Sequence, residues 1–261
     1  MQCKICRTEN NSCFSSYILR KYNVEYYHCS NCSFLQTEEP YWLDESYSRP
    51  INLTDTGYMV RNLFFKKRLT ILLYCLFGCT GKFLDYAGGY GVFVRLMRDV
   101  GFDFQWYDKY TENLFASGFE WDGKTKVDAI TLFEVFEHFV NPLDEVEKLF
   151  RVTDTIIFST ELYPNNKPKP KQWWYFGLEH GQHISFYTKD TLNYLADKYD
   201  AQYLTLGTLH ILTKKKVSKF NLYLTTLSRI GLNKLIELRI DSKVWSDYQL
   251  ACNEKENENR I

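Results

Sequence analysis

Residues 82–91 read KFLDYAGGYG, and the reading of this run decides the fold. The apolar pair Phe83-Leu84 ends in an acid, Asp85. Glycines follow at Gly88, Gly89 and Gly91, and the spacing of Val92-Phe93-Val94-Arg95-Leu96-Met97 then opens a helix. A strand that breaks into glycines and restarts as a helix is how α/β proteins hold a nucleotide-like ligand. The glycines let the backbone turn sharply and approach a ligand with no Cβ in the way.

The next segment, DFQWYDKY at 103–110, reads as a second short strand ending in Asp108. An ionised carboxylate at that place accepts hydrogen bonds from both hydroxyls of a ribose. The glycine spacing is G-G-x-G, which does not fit the nicotinamide fingerprint G-x-G-x-x-G, and no P-loop Lys-Ser/Thr pair is present. A third run, VDAITLFEVFEHFVNP at 127–142, reads as a buried strand ending near Leu132-Phe133. A fourth is HISFYT at 183–188.

Taken in order, these runs resemble class I S-adenosylmethionine (SAM) methyltransferases. D-Y-A-G-G-Y-G is similar to their motif I, with Ala87 in place of the first glycine. T-L-F-E-V-F-E-H resembles the segment after their fourth strand, and HISFYT resembles a stretch after the fifth. The resemblance covers about residues 80–216. It implies a Rossmann-like sheet with helices on both faces, SAM as cofactor, and methyl transfer. It also implies cofactor-binding positions at Asp85, Ala87, Gly88, Gly89, Gly91, Phe93, Asp108, Lys109, Phe133 and Glu134. Of these, Asp85 is expected toward the methionine amino group and Asp108 on the ribose, with Phe133 and Glu134 flanking the adenine and methionine ends. Alanine disfavours a positive φ, so the turn is expected to differ at Ala87. A competing reading makes Glu134 and His138 an i, i+4 pair on a helix surface.

Length and composition fit one α/β domain with a small attachment. The formal net charge is +0, so no general basic field draws nucleic acid. Aromatics make up 17 % of residues, and most are expected in the core. The start, Met1-Gln2-Cys3-Lys4, has no leader character, and the longest apolar run, Ile71 to Phe77, is too short to span a bilayer. A soluble cytoplasmic protein is expected, with cysteines reduced or metal-bound.

Cys3-x-x-Cys6 and Cys29-x-x-Cys32 form two matching knuckles. Each aims two thiolates at one ion, and the four complete a closed, structural zinc site. Metal would supply the folding energy that so short a piece lacks. A redox pair, or a site using Cys13 or His28, is the alternative. A zinc-binding extension before motif I also resembles a subset of these methyltransferases, several of which act on nucleotide-linked sugars.

The chain is expected to divide into a zinc module (1–37), a linker and packing helix (38–79), the methyltransferase domain (80–216) and a C-terminal helical extension (217–261). Tyr58 to Phe77 reads as a helix with a basic face at Lys66, Lys67 and Arg68. Further helices are expected at 91–100, 111–117, 142–151 and 188–199. Strands are expected at 82–87, 103–108, 119–121, 127–133, 154–160, 202–206 and 209–214, the last antiparallel. Residues 253–261 are polar and expected to fray.

A long proline-containing loop, 161–188, carries Trp173, Trp174, Tyr175 and Phe176, which either stack on a substrate or anchor the loop. His183 is the preferred general base, with His180 and His138 in reserve. The acceptor implied is a small molecule or glycan: first a sugar hydroxyl or amine, linked to a nucleotide or a surface polysaccharide, and second a phenol or quinone-like metabolite. Oxygen or nitrogen transfer is preferred over carbon transfer, since the extra C-terminal domain of some sugar C-methyltransferases is not in the sequence. A non-catalytic SAM-fold binding protein is the rival from another class. A single-stranded nucleic acid on Lys167, Lys169, Lys171 and the tryptophans is a weaker one.

Overall fold

The computed structural model describes residues 1–48 and 55–258, with side chains to residue 253. In chain order the strands and helices begin with β1 (Ser12–Ile18), β2 (Tyr22–His28), β3 (Leu35–Thr37), α1 (Leu43–Ser46) and α2 (Tyr58–Phe77). Next come β4 (Lys82–Tyr86), α3 (Val92–Val100), β5 (Asp103–Tyr107), β6 (Ala129–Phe133), α4 (Pro142–Val152) and β7 (Thr155–Ser159). They are followed by β8 (Ser185–Phe186), α5 (Lys189–Lys198), β9 (Gln202–Leu206), β10 (Leu209–Thr213), α6 (Lys219–Leu224), α7 (Leu232–Glu237) and α8 (Val244–Glu258). Short 3-10 turns lie at Phe136–His138, Trp174–Phe176 and Thr225–Ile230.

One sheet has the order β5-β4-β6-β7-β10-β9. β4 runs parallel to β5 and to β6, and β10 runs antiparallel to both β7 and β9. This is the expected Rossmann-like α/β sheet flanked by helices, with its antiparallel last strand. β7 and β10 are buried along their whole length, which explains why they read as continuous apolar runs rather than alternating ones. A second, four-stranded sheet has the order β1-β2-β3-β8.

Two expectations need correction. Residues 111–117 form turns and bends, not a helix. The Asn113 side chain accepts from the Ala116 backbone N–H at 2.9 Å, and Leu114 and Phe115 donate to the Tyr90 carbonyl. Those bonds satisfy the groups a helix would have used. The strand at 119–121 is reduced to a single parallel bridge between Trp106 and Glu120. Residues 49–54 of the expected linker lie outside the described residues, as do residues 259–261 of the tail. The described part of that tail continues α8 as far as Glu258.

The chain divides into two compact units, residues 1–55 with 132–216, and residues 56–131 with 217–261. In the first, the N-terminal hairpin is built into the domain. β3 pairs with β8, and Ile18, Val24, Tyr26, Leu35 and Trp42 share a core with Tyr163, Tyr175, Phe176, Ile184 and Phe186. The Trp42 indole donates to the Gly181 carbonyl at 2.8 Å, and the Thr191 hydroxyl to the Cys32 carbonyl at 2.8 Å. A reciprocal capping box between Thr188 and Thr191 starts α5.

In the second unit, α3 lies between two glycines that only a residue without Cβ tolerates: Gly91 at φ 84° and Gly101 at φ 121°. Two of the three residues of the expected basic face of α2 are taken up by the C-terminal segment, and Lys67 stays exposed. Arg68 is buried and donates to the Thr225 hydroxyl, and Lys66 pairs with Glu237 at 3.1 Å. Arg98 is the buried anchor of this unit. It grips both oxygens of Asp247 and also donates to Asp103 and the Phe104 carbonyl. Its guanidinium lies 3.6 Å from the centre of the Phe119 ring.

Two stability predictions follow from these buried groups. Asp247→Asn leaves Arg98 and Arg95 facing a neutral amide, and breaking a buried pair from one side costs about 3 kcal/mol. Urea denaturation is expected to show a loss of that order. A loss below about 1 kcal/mol would mean that Asp103 and the Phe104 carbonyl hold Arg98 on their own. His210, buried in β10, donates from Nε2 to the Thr160 carbonyl at 3.0 Å and accepts at Nδ1 from the Tyr203 hydroxyl at 2.9 Å. Burial pulls its pKa down to about 4. The unfolded chain therefore takes up a proton on this residue between about pH 6.5 and 4 that the folded chain refuses. The stability from neutral His210 is present above that window and lost as the pH falls through it. Between pH 7 and 5, His210→Asn is expected to lose about 2 kcal/mol less stability than the parent chain, read by denaturation at each pH.

Candidate active site

The glycine turn belongs to the unit of residues 56–131 and 217–261. Ala87 takes φ 61°, Gly89 φ 55° and Gly91 φ 84°. Ala87 thus adopts the left-handed conformation that its side chain disfavours, and the turn keeps its shape at the price of local strain. A Cβ on Gly88 would sit 2.9 Å from the Asp85 carboxylate and 2.9 Å from the Trp106 ring, and one on Gly89 3.0 Å from the Tyr58 hydroxyl. The backbone N–H of Gly89 donates to Asp108 at 2.9 Å, and its carbonyl accepts from the Trp106 indole at 2.8 Å.

Asp108 also accepts from the backbone N–H groups of Tyr110 and Thr111, at 2.7 and 3.0 Å. A carboxylate has about four acceptor positions, so this acid braces two loops and keeps little more than one position for a ligand hydroxyl. Asp85 is buried and accepts from the Thr131 hydroxyl at 2.6 Å. Burial raises its pKa to about 7 despite that bond, and the charge of Asp108 adds to the rise. A buried acid in that state is suited to a cationic amino group, whose arrival would restore its charge. Phe93 is buried edge-on to Phe104 and belongs to the core. Lys109 lies over the Tyr110 ring, with its ammonium 5.2 Å from the ring centre.

The candidate catalytic residues lie in the unit of residues 1–55 and 132–216. Glu134 follows β6 at φ 56°. Ser159 holds it there, accepting from the Glu134 backbone N–H at 2.9 Å and donating to its carboxylate at 2.7 Å. Residues 136–138 turn as a 3-10 helix, not as the surface α-helix of the competing reading, so Glu134 and His138 form no surface pair. Glu137 points inward and is fully buried.

The Tyr175 hydroxyl donates to Glu137 at 2.6 Å and lies 3.4 Å from Glu134. The Tyr175 carbonyl accepts from His183 Nδ1 at 2.6 Å. His138 Nδ1 lies 3.0 Å from the Tyr47 hydroxyl and 3.1 Å from the Gln182 carbonyl. The three histidines cluster, with ring centres 5.1 Å apart for His138 and His183 and 4.7 Å for His180 and His183. Burial lowers all three pKa values, that of His138 to about 4 and that of His183 well below the usual range. Burial raises Glu137, and the neighbouring charge of Glu134 adds to it.

Of the loop aromatics, Tyr175 and Phe176 are buried and Trp173 packs against the same core, while Trp174 is 75 % exposed. The loop is therefore anchored by three of the four and offers one exposed ring, Trp174, edge-on to Tyr175. Glu137 and the Tyr47 hydroxyl were not singled out in the sequence. The E-x-x-E-H spacing was the available signal, but read as a surface helix it hides the inward turn of Glu137.

The sulfurs of Cys3, Cys6, Cys29 and Cys32 lie within 4.8 Å of one another. Cys3 and Cys32 are 3.6 Å apart, and Cys6 and Cys29 3.4 Å. Four thiolates about 2.3 Å from a central zinc stand about 3.8 Å apart, so the cluster fits a tetrahedral ion. The cysteines are free thiols, not disulfides. A hydrogen bond from Cys32 pulls the Cys3 thiol down to about 5, while the same bond pushes Cys32 up. Cys13 donates instead to the Tyr26 carbonyl and stands outside the cluster, as does His28.

This geometry, a glycine turn braced by an acid on a Rossmann-like sheet, is that of a cofactor-binding α/β fold. The sequence matches the Methyltransferase domain family over residues 60–206, more than half of the chain, and the chain belongs to that family of methyl-transferring enzymes. SAM is the methyl donor that membership brings. No curated protein matches at the level of sequence.

Among solved structures, the chain is similar to the plantazolicin methyltransferase BpumL in complex with SAH. That match has 16 % identity and a TM-score of 0.50, over 77 % of this chain and 90 % of that one. It is also similar to magnesium protoporphyrin IX methyltransferase (ChlM) from Synechocystis PCC 6803 with bound SAH, at 14 % identity and TM-score 0.44, over 66 % and 94 %. A third is an O-methyltransferase family 2 protein from Planctomyces limnophilus DSM 3776 in complex with apigenin, at 14 % identity and TM-score 0.40. Here the chain spans about half of the relative, 51 % of its length, with 52 % of this chain matched. Among the described residues, no helix is long and apolar enough to cross a membrane.

The thiolate cluster yields a direct prediction. The purified chain is expected to carry one zinc per molecule. Cys29→Ser or chelation is expected to cost at least about 3 kcal/mol, on the order of 10 °C in melting temperature. An unchanged melting temperature after complete chelation would show that the knuckles are held by packing alone.

Proposed function

We propose that the chain transfers the SAM methyl group to a hydroxyl oxygen of a small molecule, with a nucleotide-linked or polysaccharide sugar as the acceptor. The observation that carries the oxygen-transfer reading is His183. Its Nδ1–H is committed to the Tyr175 carbonyl, which leaves Nε2 unprotonated, and burial keeps the ring neutral. A neutral imidazole with a bare nitrogen takes up a hydroxyl proton. His138 and His180 stand beside it as reserves.

In this reading SAM supplies an electrophilic methyl on a good leaving group, so alignment of the acceptor carries most of the catalysis. Asp85, Gly88, Gly89, Gly91 and Asp108 would hold the cofactor, with Asp85 answering the amino group. Asp108 would meet one ribose hydroxyl with its remaining acceptor position. The support for a sugar is the four-cysteine extension, the resemblance it carries, the zero net charge and the exposed ring of Trp174. A flat apolar ring lies well against the C–H face of a sugar.

The test is calorimetric titration with SAM and SAH, followed by turnover assays on panels of sugar nucleotides and phenols. Micromolar SAM binding is expected, weakened at least tenfold in Asp108→Ala. His183→Asn is expected to lower kcat about 100-fold or more with SAM affinity unchanged. Full turnover of His183→Asn under saturating substrates would remove its role, and turnover of phenols alone would remove the sugar.

A further inference from the structure

Proton uptake by a histidine leaves one feature of the same cluster unanswered. Glu137 is fully buried, and although its Oε1 accepts from Tyr175, its Oε2 has no hydrogen-bond partner among the described residues. A buried carboxylate oxygen in that state carries a large desolvation penalty unless a proton or a cation meets it. Ring nitrogens of His138 and His183 lie close to it, and Glu134 adds a second carboxylate nearby, joined to the same Tyr175 hydroxyl at 3.4 Å. His183 presents Nε2 bare, because Nδ1 donates to the Tyr175 carbonyl. His138 places Nδ1 3.0 Å from the Tyr47 hydroxyl and 3.1 Å from the Gln182 carbonyl, and an imidazole whose Nδ1–H donates to a carbonyl has its Nε2 lone pair to offer. One ligand atom from each of Glu137, His138 and His183 lies within 4.8 Å of the other two.

We propose that Glu137, His138 and His183 form a binding site for a divalent transition-metal cation. Two imidazole nitrogens and one carboxylate oxygen are a donor set of zinc, manganese, iron(II) and cobalt. Three protein ligands leave positions open for an oxygen from outside. The surrounding groups are arranged as a metal's outer partners are. Tyr175 fixes two of the three ligands at once, Glu137 through its hydroxyl and His183 through its carbonyl. The Thr160 hydroxyl lies 3.1 Å from that of Tyr175 and holds it in place. The site contains no sulfur and is separate in sequence and chemistry from the thiolate cluster. Its assigned role rests on the methyl-transfer reading: the open positions take the acceptor's hydroxyl oxygen and acidify it. In the metal-loaded chain the cation would lower the hydroxyl's pKa and its proton would leave to water, with His183 serving as a ligand in place of the base role it has in the metal-free reading.

Manganese(II) is the probe, because it avoids thiolate sites and is read directly by electron paramagnetic resonance. The full chain, its thiolate cluster loaded with zinc, is titrated with Mn²⁺, and SAH binding is measured on the same samples. One Mn²⁺ per chain is expected at micromolar concentration. Glu137→Gln and His183→Asn are each expected to weaken it more than tenfold, and Tyr175→Phe about tenfold, with SAH binding retained as the sign of an intact fold. Protein that binds SAH but neither Mn²⁺ nor Co²⁺ would overturn the site and leave the methyltransferase reading standing. Mn²⁺ bound equally well by Glu137→Gln would overturn it too. Mn²⁺ bound at these residues by protein that ignores SAH would support the site and remove the methyl-transfer role.

Discussion

The hydrogen bond from Tyr175 to Glu137 is the constraint on which the unit of residues 1–55 and 132–216 is organised. A carboxylate with no exposure needs a donor, and Tyr175 supplies one at 2.6 Å. The same tyrosine belongs to the apolar core that unites the N-terminal hairpin with the long loop, and its carbonyl orients His183. One side chain therefore couples a hydrophobic core, a buried acid and a candidate catalytic ring. The proline-containing loop is ordered because three of its aromatic side chains leave water, which offsets the entropy of fixing its backbone.

The other unit solves a related problem twice. Asp85 is buried at the end of β4 and Arg98 within α3. Arg98 is fully answered by Asp247, Asp103 and a carbonyl. Asp85 is answered only in part, by Thr131, and stays near neutrality in its pKa. The contrast separates a fully answered buried charge from the one assigned to the cofactor under the proposed function. The complete network holds α8 to α3, and the incomplete one leaves Asp85 with a single hydroxyl donor.

Much of this was legible because the chain writes it in short local patterns. The α2 helix was readable at Tyr58–Phe77, and the strands at 82–86, 103–107, 155–159 and 209–213 end within a residue or two of their apolar runs. The thiolate pairs were readable from spacing alone. What failed was decided by side chains acting on nearby backbone. Asn113 capped a turn in place of a helix, and Glu120 kept a single bridge where a strand was expected. Ala87 showed that a turn overrides a residue's own preference. Glu137 was hidden because its inward direction depends on a 3-10 turn after β6, and on a tyrosine 38 positions away. No periodicity records such a contact.

The pairing of β3 with β8 bears on how this protein can be taken apart. β8 has two residues, its ladder partner is β3, the strand that follows the N-terminal hairpin, and His183 lies two positions before it. The cysteine knuckles are thus part of the scaffold that holds the candidate catalytic ring of His183, not a detachable tag. A chimera that exchanged the first 37 residues for those of a relative would also have to carry over residues 178–187, because the two segments share backbone hydrogen bonds. Inheritance should follow the same rule, with the knuckles and the loop changing together or not at all.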